Sequence, residues 1–177
     1  MEAKTVITML RLNDKDFNEY KVALPLKDLD EYFKAMGWLE DYYKREFVTI
    51  GMKGRFEFLD YEQNINIQLL NDLLLKFQEL DEEDQEIVLL LTHLEGDTFE
   101  GFLYTMNNFR RYILIPAQLK TEEDVSKFVI NLICHNKFLK VFEDAICFED
   151  FYRCLFQNAI AFRIDDRILV KIEDLLD

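Results

Sequence analysis

The chain has 177 residues, half of them hydrophobic, with 35 Asp and Glu against 21 Lys and Arg and a net charge of -14 at pH 7. The 16 Phe and 8 Tyr argue against a disordered acidic tail, which would be poor in aromatic residues. The charge argues against direct binding to nucleic acid or to an anionic membrane, because both repel an acidic surface.

The first 60 residues predict a small αβ unit. Residues 4–12 are rich in β-branched and large apolar residues, which indicates a strand. A second strand is predicted over 19–25, ending at Pro25, and a third over 45–54, where apolar residues alternate and the segment ends in Gly. A short helix is predicted over 27–37, because its apolar residues recur at helical spacing and Gly37 suits a C-terminal cap.

The middle of the chain predicts helices. The first is predicted to begin with Asn64 as its N-cap, and the second begins with Asp81 as the cap and ends at Gly96. The acidic first turn of the second helix suits the helix dipole. A third helix is predicted within 97–109.

The last part of the chain predicts a mixture of strands and helices. A strand is expected over 110–116, and Thr121 with Asp124 indicates a capping box that begins a helix. Another helix is expected over 148–158, followed by a β-hairpin that turns at Asp165-Asp166.

These elements predict an α+β protein with an N-terminal αβ unit, a helical middle and a C-terminal helix plus β-hairpin unit. The expected subdomain boundaries are 1–60, 61–108 and 109–177. The last range is the candidate dimerisation region, because it is more aromatic than a small hairpin needs. Ordinary core packing is the alternative, and the candidate interface residues are Phe148, Phe151, Tyr152, Leu155 and Phe156.

Catalytic and metal-binding patterns are weak. Two His and three Cys offer no paired zinc-ligand motif, and phosphate-binding or dinucleotide-binding glycine patterns are absent from the sequence. We therefore expect no enzyme activity, no cofactor and no metal. Cys134, Cys147 and Cys154 predict free, buried thiols in a reducing compartment, and no signal peptide is evident, so a cytoplasmic location is expected.

The distribution of acid is the main functional signal. The segment ELDEEDQE, residues 79–86, has six acidic residues, and no Lys or Arg lies between Lys76 and Arg110 to neutralise it. Further acidic clusters follow along the chain. The candidate partner-binding carboxylates are Glu57, Asp60, Glu62, Asp72, Glu79, Asp81, Glu82, Glu83, Asp84, Glu86, Glu95, Asp97, Glu100, Glu122, Glu123 and Asp124.

A surface of this kind should attract basic grooves, such as those in which proteins hold DNA. B-DNA carries one negative charge per roughly 1.7 Å of axis, so the net charge corresponds at most to about 24 Å of duplex. A dimer would correspond to about 48 Å of duplex, and this length is comparable to the footprint of a DNA-binding enzyme.

Several strings of the sequence resemble the ArdA antirestriction family. The stretch EFVTIGMKGRFEFLDYE and the following NIQLLNDLLLKFQELDEEDQEIVLLLTHLEG are similar to a strand, a helix and an acidic connection of that family. FEDFYRCLFQNAIAFRIDDRILVKI is similar in pattern to its closing helix and hairpin, and EDVSKFVINLICHN is weakly similar to its later helix.

The resemblance implies an elongated three-domain protein that dimerises through its C-terminal part and whose surface carboxylates imitate the phosphates of bent B-DNA. Such a protein occupies the DNA-binding groove of a bacterial defence enzyme, with type I restriction-modification as the first candidate. The sequence departs from the family pattern in RLNDKDFNEYK, which lacks a Gly, and at Asp165-Asp166. Two alternatives stay open: inhibition of a CRISPR effector by the same mimicry, and a generic acidic protein–protein interaction module.

Overall fold

The computed structural model describes residues 4–16, 18–59, 65–133 and 146–173. The fold is α+β, and the described residues form two three-stranded antiparallel sheets with helices between them in the chain. The predicted N-terminal αβ unit, helical middle and C-terminal helix plus hairpin are all confirmed. No helix within the described ranges is long and apolar enough to cross a membrane.

The N-terminal sheet has the strand order β2-β1-β3, and two helices lie between β2 and β3 in the chain. Alternate residues of β1 are buried, which places Ile7 and Met9 in the core with no exposed area. The second helix was not predicted. The elements are β1 Thr5–Arg11, β2 Glu19–Leu24, α1 Leu29–Ala35, α2 Leu39–Tyr43 and β3 Phe47–Lys53.

Three helices form the middle of the chain: α3 Ile67–Gln78, α4 Glu82–Leu94 and α5 Phe99–Asn108. The predicted cap of the first was wrong, because the N-cap is Asn66, whose Oδ1 accepts a hydrogen bond from the Leu69 backbone N–H at 3.1 Å. The predicted cap of the second is confirmed, since Asp81 Oδ1 accepts from the Asp84 N–H at 2.8 Å.

The C-terminal sheet has the order β4-β6-β5, and the hairpin around Asp165-Asp166 is confirmed with φ 52° at Asp165. The strand expected over 110–116 is shorter than predicted, because a 3-10 turn, Phe109–Arg111, precedes it. Thr121 caps α6 by accepting from the Asp124 N–H at 3.0 Å. The elements are β4 Tyr112–Leu114, α6 Glu122–Ile133, α7 Phe148–Gln157, β5 Ala161–Ile164 and β6 Arg167–Lys171.

Two hydrophobic clusters hold these elements together. The larger joins the N-terminal sheet, helices α3 to α5 and the hairpin residues Ile164 and Leu169. The smaller packs α6 and α7 against the C-terminal sheet around Val129 and Val170. The larger cluster draws residues from all three predicted subdomain ranges, and the boundaries at 60 and 108 stay a prediction.

Asn71 links α3 to the segment that follows β2. It is 2% exposed, its Oδ1 accepts from the Leu26 N–H at 2.7 Å, and its Nδ2 donates to the Leu26 carbonyl at 2.9 Å. Replacing Asn71 with Ala should lower the free energy of unfolding by about 2–4 kcal/mol, because both backbone groups lose their partner.

Urea denaturation followed by circular dichroism measures that loss. Lys76→Ala, an exposed position on the same helix, serves as the control and should change stability little. A cost below about 0.5 kcal/mol for Asn71→Ala would mean that these two hydrogen bonds do not fix the segment.

Candidate functional site

The start of α4 presents a dense set of carboxylates. We call Glu79, Asp81, Glu82, Glu83 and Asp84 the α4 acidic start. Glu79 caps the end of α3, Asp81 is the N-cap of α4, and the other three form the first turn of α4. Negative charge is favoured at the N-terminus of a helix, so the start of α4 tolerates the clustering of carboxylates. The inward side chains of Ile87 and Val88 anchor the helix in the larger core.

Four members of the α4 acidic start face solvent. Glu79, Asp81, Glu82 and Glu83 are exposed, and none of them has an ion-pair partner among the residues that the structure describes. Asp84 is half-buried. Burial, and after it the Asp81 carboxylate, raises the pKa of Asp84, while the Arg110 guanidinium acts in the opposite direction.

Asp84→Asn should therefore raise the free energy of unfolding at neutral pH relative to Glu83→Gln. Both substitutions remove one negative charge from the same turn, so the difference between them reports the particular environment of Asp84, in which burial is the main influence. Because the pKa of Asp84 is raised in the folded protein, the ionised carboxylate disfavours folding above that pKa.

This advantage should disappear as the pH falls through the folded-state pKa of Asp84, since the carboxyl then takes up its proton. Chemical denaturation of both variants at several pH values measures it. If the stability difference between Asp84→Asn and Glu83→Gln stays constant down to acidic pH, the ionised carboxylate of Asp84 is not its cause.

Cations from distant parts of the chain reach the acidic segment. Arg167 Nε lies 2.6 Å from Glu86 Oε1, and Arg55 Nη1 donates to Gln85 Oε1 at 2.9 Å. The expectation that residues 79–86 are left unneutralised is therefore wrong at Glu86, because β6 brings Arg167 to α4. Sequence reasoning missed this pairing, since the two residues are 81 positions apart in the chain.

A second group of carboxylates lies where α4 ends. Glu95 and Glu100 are exposed, and Asp97 adopts φ 57° in the connection to α5. The Asp97 Oδ2 atom lies 2.9 Å from His93 Nδ1, and its Oδ1 atom is buried without a hydrogen-bond partner among the described residues. Thr98 then caps α5 by accepting from the Gly101 N–H at 2.9 Å.

The other predicted carboxylates lie elsewhere on the chain. Glu57 follows β3 and accepts from the Gly54 N–H at 3.4 Å, and Asp72 on α3 accepts from Gln68 Nε2 at 2.8 Å. The range 122–124 forms the exposed first turn of α6, where Glu123 pairs with Lys127 at 2.6 Å. Asp60 and Glu62 lie outside the described residues.

The candidate dimerisation residues belong to α7. Leu155 is 2% exposed and packs in the smaller core, so within one chain it is a core residue. Phe151, Tyr152 and Phe156 are half-buried against that core. Lys127 Nζ lies 5.2 Å from the centre of the half-buried Phe148 ring.

The predicted burial of the thiols is wrong for Cys147 and Cys154, which are free and exposed. Cys147 is the residue that precedes α7, and Cys154 lies on the solvent side of that helix next to the buried Leu155. Cys134 lies outside the described residues.

A hollow of about 650 Å³ lies between α2 and the start of α3. Six residues on its wall have polar side-chain groups: Asp30, Tyr42, Tyr43, Arg45, Asn66 and Gln68. Sequence reasoning did not find it. The only local signal is the string YYKR, residues 42–45, two aromatic residues followed by two cations.

Hydrogen bonds fix the two tyrosines of this hollow. The Tyr42 hydroxyl donates to Gln68 Oε1 at 2.8 Å, and the Tyr43 hydroxyl donates to Asp30 Oδ2 at 2.6 Å. Burial is the main cause that raises the pKa of Tyr42 to about 12, and the negative charges of Asp30 and Asp72 are smaller causes in the same direction. The hydrogen bond to Asp30 is the main cause that raises the pKa of Tyr43. Both side chains are therefore neutral at pH 7.

The chain matches no family model, and the comparison with curated proteins finds no match. The resemblance to the ArdA family therefore rests on the quoted strings of sequence and stays a prediction.

Proposed function

We propose that this protein is an acidic DNA mimic that inhibits a bacterial DNA-targeting defence enzyme by occupying its DNA-binding groove. The first candidate target is a type I restriction-modification enzyme in the cytoplasm of the bacterial host. The same mimicry directed at a CRISPR effector is the nearest alternative, because its nucleic-acid channels are also basic.

The observation that carries the proposal is the pair of carboxylate groups at the two ends of α4. The helix has 13 residues, and at 1.5 Å per residue it is about 20 Å long. A B-DNA duplex of that length carries about 12 negative charges. The α4 acidic start together with Glu95, Asp97 and Glu100 supplies eight carboxylates, so the local charge is within a factor of two of a duplex.

The sparse pairing of these carboxylates supports the same conclusion. Among the described residues, Glu79, Glu82, Glu83, Glu95 and Glu100 have no ion-pair partner. A cationic groove can therefore replace their hydration without first breaking an internal ion pair. The exposed first turn of α6 adds a further acidic group.

The proposal includes a homodimer that forms through the C-terminal unit. The half-buried rings of Phe148, Phe151, Tyr152 and Phe156 are the candidate contacts, with Leu155 supporting them from the core. A dimer would double the length of the acidic surface. Sedimentation equilibrium checks the stoichiometry, and a monomer at micromolar concentration would remove the dimer from the proposal.

The test of the inhibitory function is a competition experiment with a purified type I restriction-modification methyltransferase and its DNA, at low and at high salt. The protein should displace the DNA, and its affinity should fall as salt rises, because screening weakens attraction between exposed charges. Absence of binding to the methyltransferase at low salt would overturn this target. The same assay on a CRISPR effector then decides whether the mimicry itself survives.

A further inference from the structure

The hollow between α2 and α3 carries opposite charges that do not pair with each other. Asp30 and Arg45 both line it, and neither forms an ion pair within the described part of the chain. Asp30 uses Oδ2 to accept from Tyr43, which leaves Oδ1 available as an acceptor. The Arg45 side chain has no hydrogen-bond partner among the described residues, so its guanidinium donors are available.

The other polar groups of the wall are already used or are donors. The Gln68 amide accepts from Tyr42 and donates to Asp72, so both of its ends are occupied. Asn66 uses Oδ1 to cap α3, which leaves its Nδ2 donor available. The available groups are thus one carboxylate oxygen at Asp30 and N–H donors at Arg45 and Asn66.

The aromatic wall supplies an apolar surface beside these groups. Tyr43 is 62% exposed, and Tyr42 stacks on Phe33 with 4.3 Å between ring centres and an interplanar angle of 7°. The hydroxyls of both tyrosines are tied by hydrogen bonds, so their rings are held in place. A planar or apolar side chain of a ligand can pack on such rings.

Arg45 occupies a backbone position that usually belongs to glycine. It has φ 57° directly after the C-cap of α2, its N–H donates to the Tyr42 carbonyl at 3.0 Å, and the Glu46 N–H donates to the Asp41 carbonyl at 2.9 Å. These two bonds form a Schellman motif, in which glycine is the favoured residue at this point. An arginine at this position has a less favourable backbone conformation than a glycine would have, and it adds a cationic side chain to the hollow.

We propose that this hollow binds a small zwitterionic molecule of the α-amino acid class, with its carboxylate on Arg45, its ammonium on Asp30 and an aromatic or apolar side chain on the tyrosine rings. The volume of about 650 Å³ lies within the range of roughly 300–1,000 Å³ that is typical of small-molecule sites. This site is independent of the proposed DNA mimicry.

The experiment compares three probes that differ in one group each: L-phenylalanine, phenylpropionate, which lacks the ammonium, and phenethylamine, which lacks the carboxylate. Binding to the full chain is measured by calorimetry and by amide chemical-shift changes around Tyr43. L-phenylalanine should bind saturably, and each analogue should bind about tenfold or more weakly, because it leaves one charged group of the site without a partner.

Two variants test which residue binds the carboxylate of the ligand and which binds its ammonium. Arg45→Gln should weaken L-phenylalanine about tenfold and leave phenethylamine unchanged, while Asp30→Asn should weaken L-phenylalanine and leave phenylpropionate unchanged. Asn can still accept from the Tyr43 hydroxyl, so that hydrogen bond is kept. The control is Arg153→Gln, which removes an exposed arginine from α7.

Equal binding of all three probes, or no saturable binding of L-phenylalanine at millimolar concentration, would overturn the proposal. An equal loss in Arg153→Gln would do the same, because the effect would then come from net charge.

Discussion

Replacing Phe102 with Ala should lower the free energy of unfolding by about 3–5 kcal/mol, which is a large part of the stability of a protein of this size. Phe102 on α5 has no exposed area, and its ring centre lies 4.9 Å from that of Phe56 and 6.2 Å from that of Phe77. These three rings join the segment after β3 to two helices. The cavity left by the substitution is bordered by other large rigid rings, so we expect little collapse around it.

Urea denaturation measures this loss, with Tyr104→Ala as the matched control. Tyr104 is an aromatic residue on the same helix but is 48% exposed, so its removal should cost less than about 1 kcal/mol. A similar cost for both substitutions would show that the ring cluster is not the centre of the larger core.

Local patterns predicted most of the fold correctly. Enrichment in β-branched and large apolar residues located β1, and a two-residue turn located the C-terminal hairpin. Capping side chains located the starts of α4 and α6 at Asp81 and Thr121. Each of these signals acts over a few residues, so it is visible in the sequence without knowledge of the packing.

The errors occurred where tertiary packing decides between local alternatives. The sequence NINIQ offers two asparagines as caps, and the buried position of Ile67 selects Asn66. Helix α2 has five residues, and its N-cap, Trp38, makes no side-chain capping hydrogen bond, so the sequence carries no signal for the start of this helix. Its position follows from Trp38 and Tyr42, which pack against the larger core.

The exposure of four of the five residues of the α4 acidic start could be predicted, because a helix cap and a first turn normally face solvent; the half-buried Asp84 is the exception. The Arg167–Glu86 ion pair could not, because no local pattern indicates that β6 lies beside α4. The hollow could not be predicted either, since Tyr42 and Gln68 are 26 residues apart and come into contact only when α2 and α3 are folded against each other.

If the proposed mimicry of DNA holds, stepwise neutralisation of the α4 acidic start should gradually weaken binding to the proposed target, a DNA-targeting defence enzyme. The series adds Glu82→Gln, Glu83→Gln, Glu79→Gln and Asp81→Asn in turn, and Asn at the last position keeps a capping side chain. Each exposed charge should contribute about 0.5–1 kcal/mol, so all four should cost about 2–4 kcal/mol, or roughly 30-fold to 900-fold in affinity. The salt dependence of binding should become shallower at every step, because fewer screened attractions remain.

The matched control is Glu19→Gln with Glu31→Gln, two exposed glutamates of the N-terminal unit that are outside the predicted contact set and have no ion-pair partner among the described residues. This pair changes the net charge as much as Glu82→Gln with Glu83→Gln, so equal losses would assign the effect to total charge. A graded, nearly additive loss specific to α4 favours phosphate mimicry, because a duplex is held through many similar contacts. Complete loss from one substitution would instead favour an interaction module with a single hot spot, since binding energy in such interfaces is concentrated in a few residues.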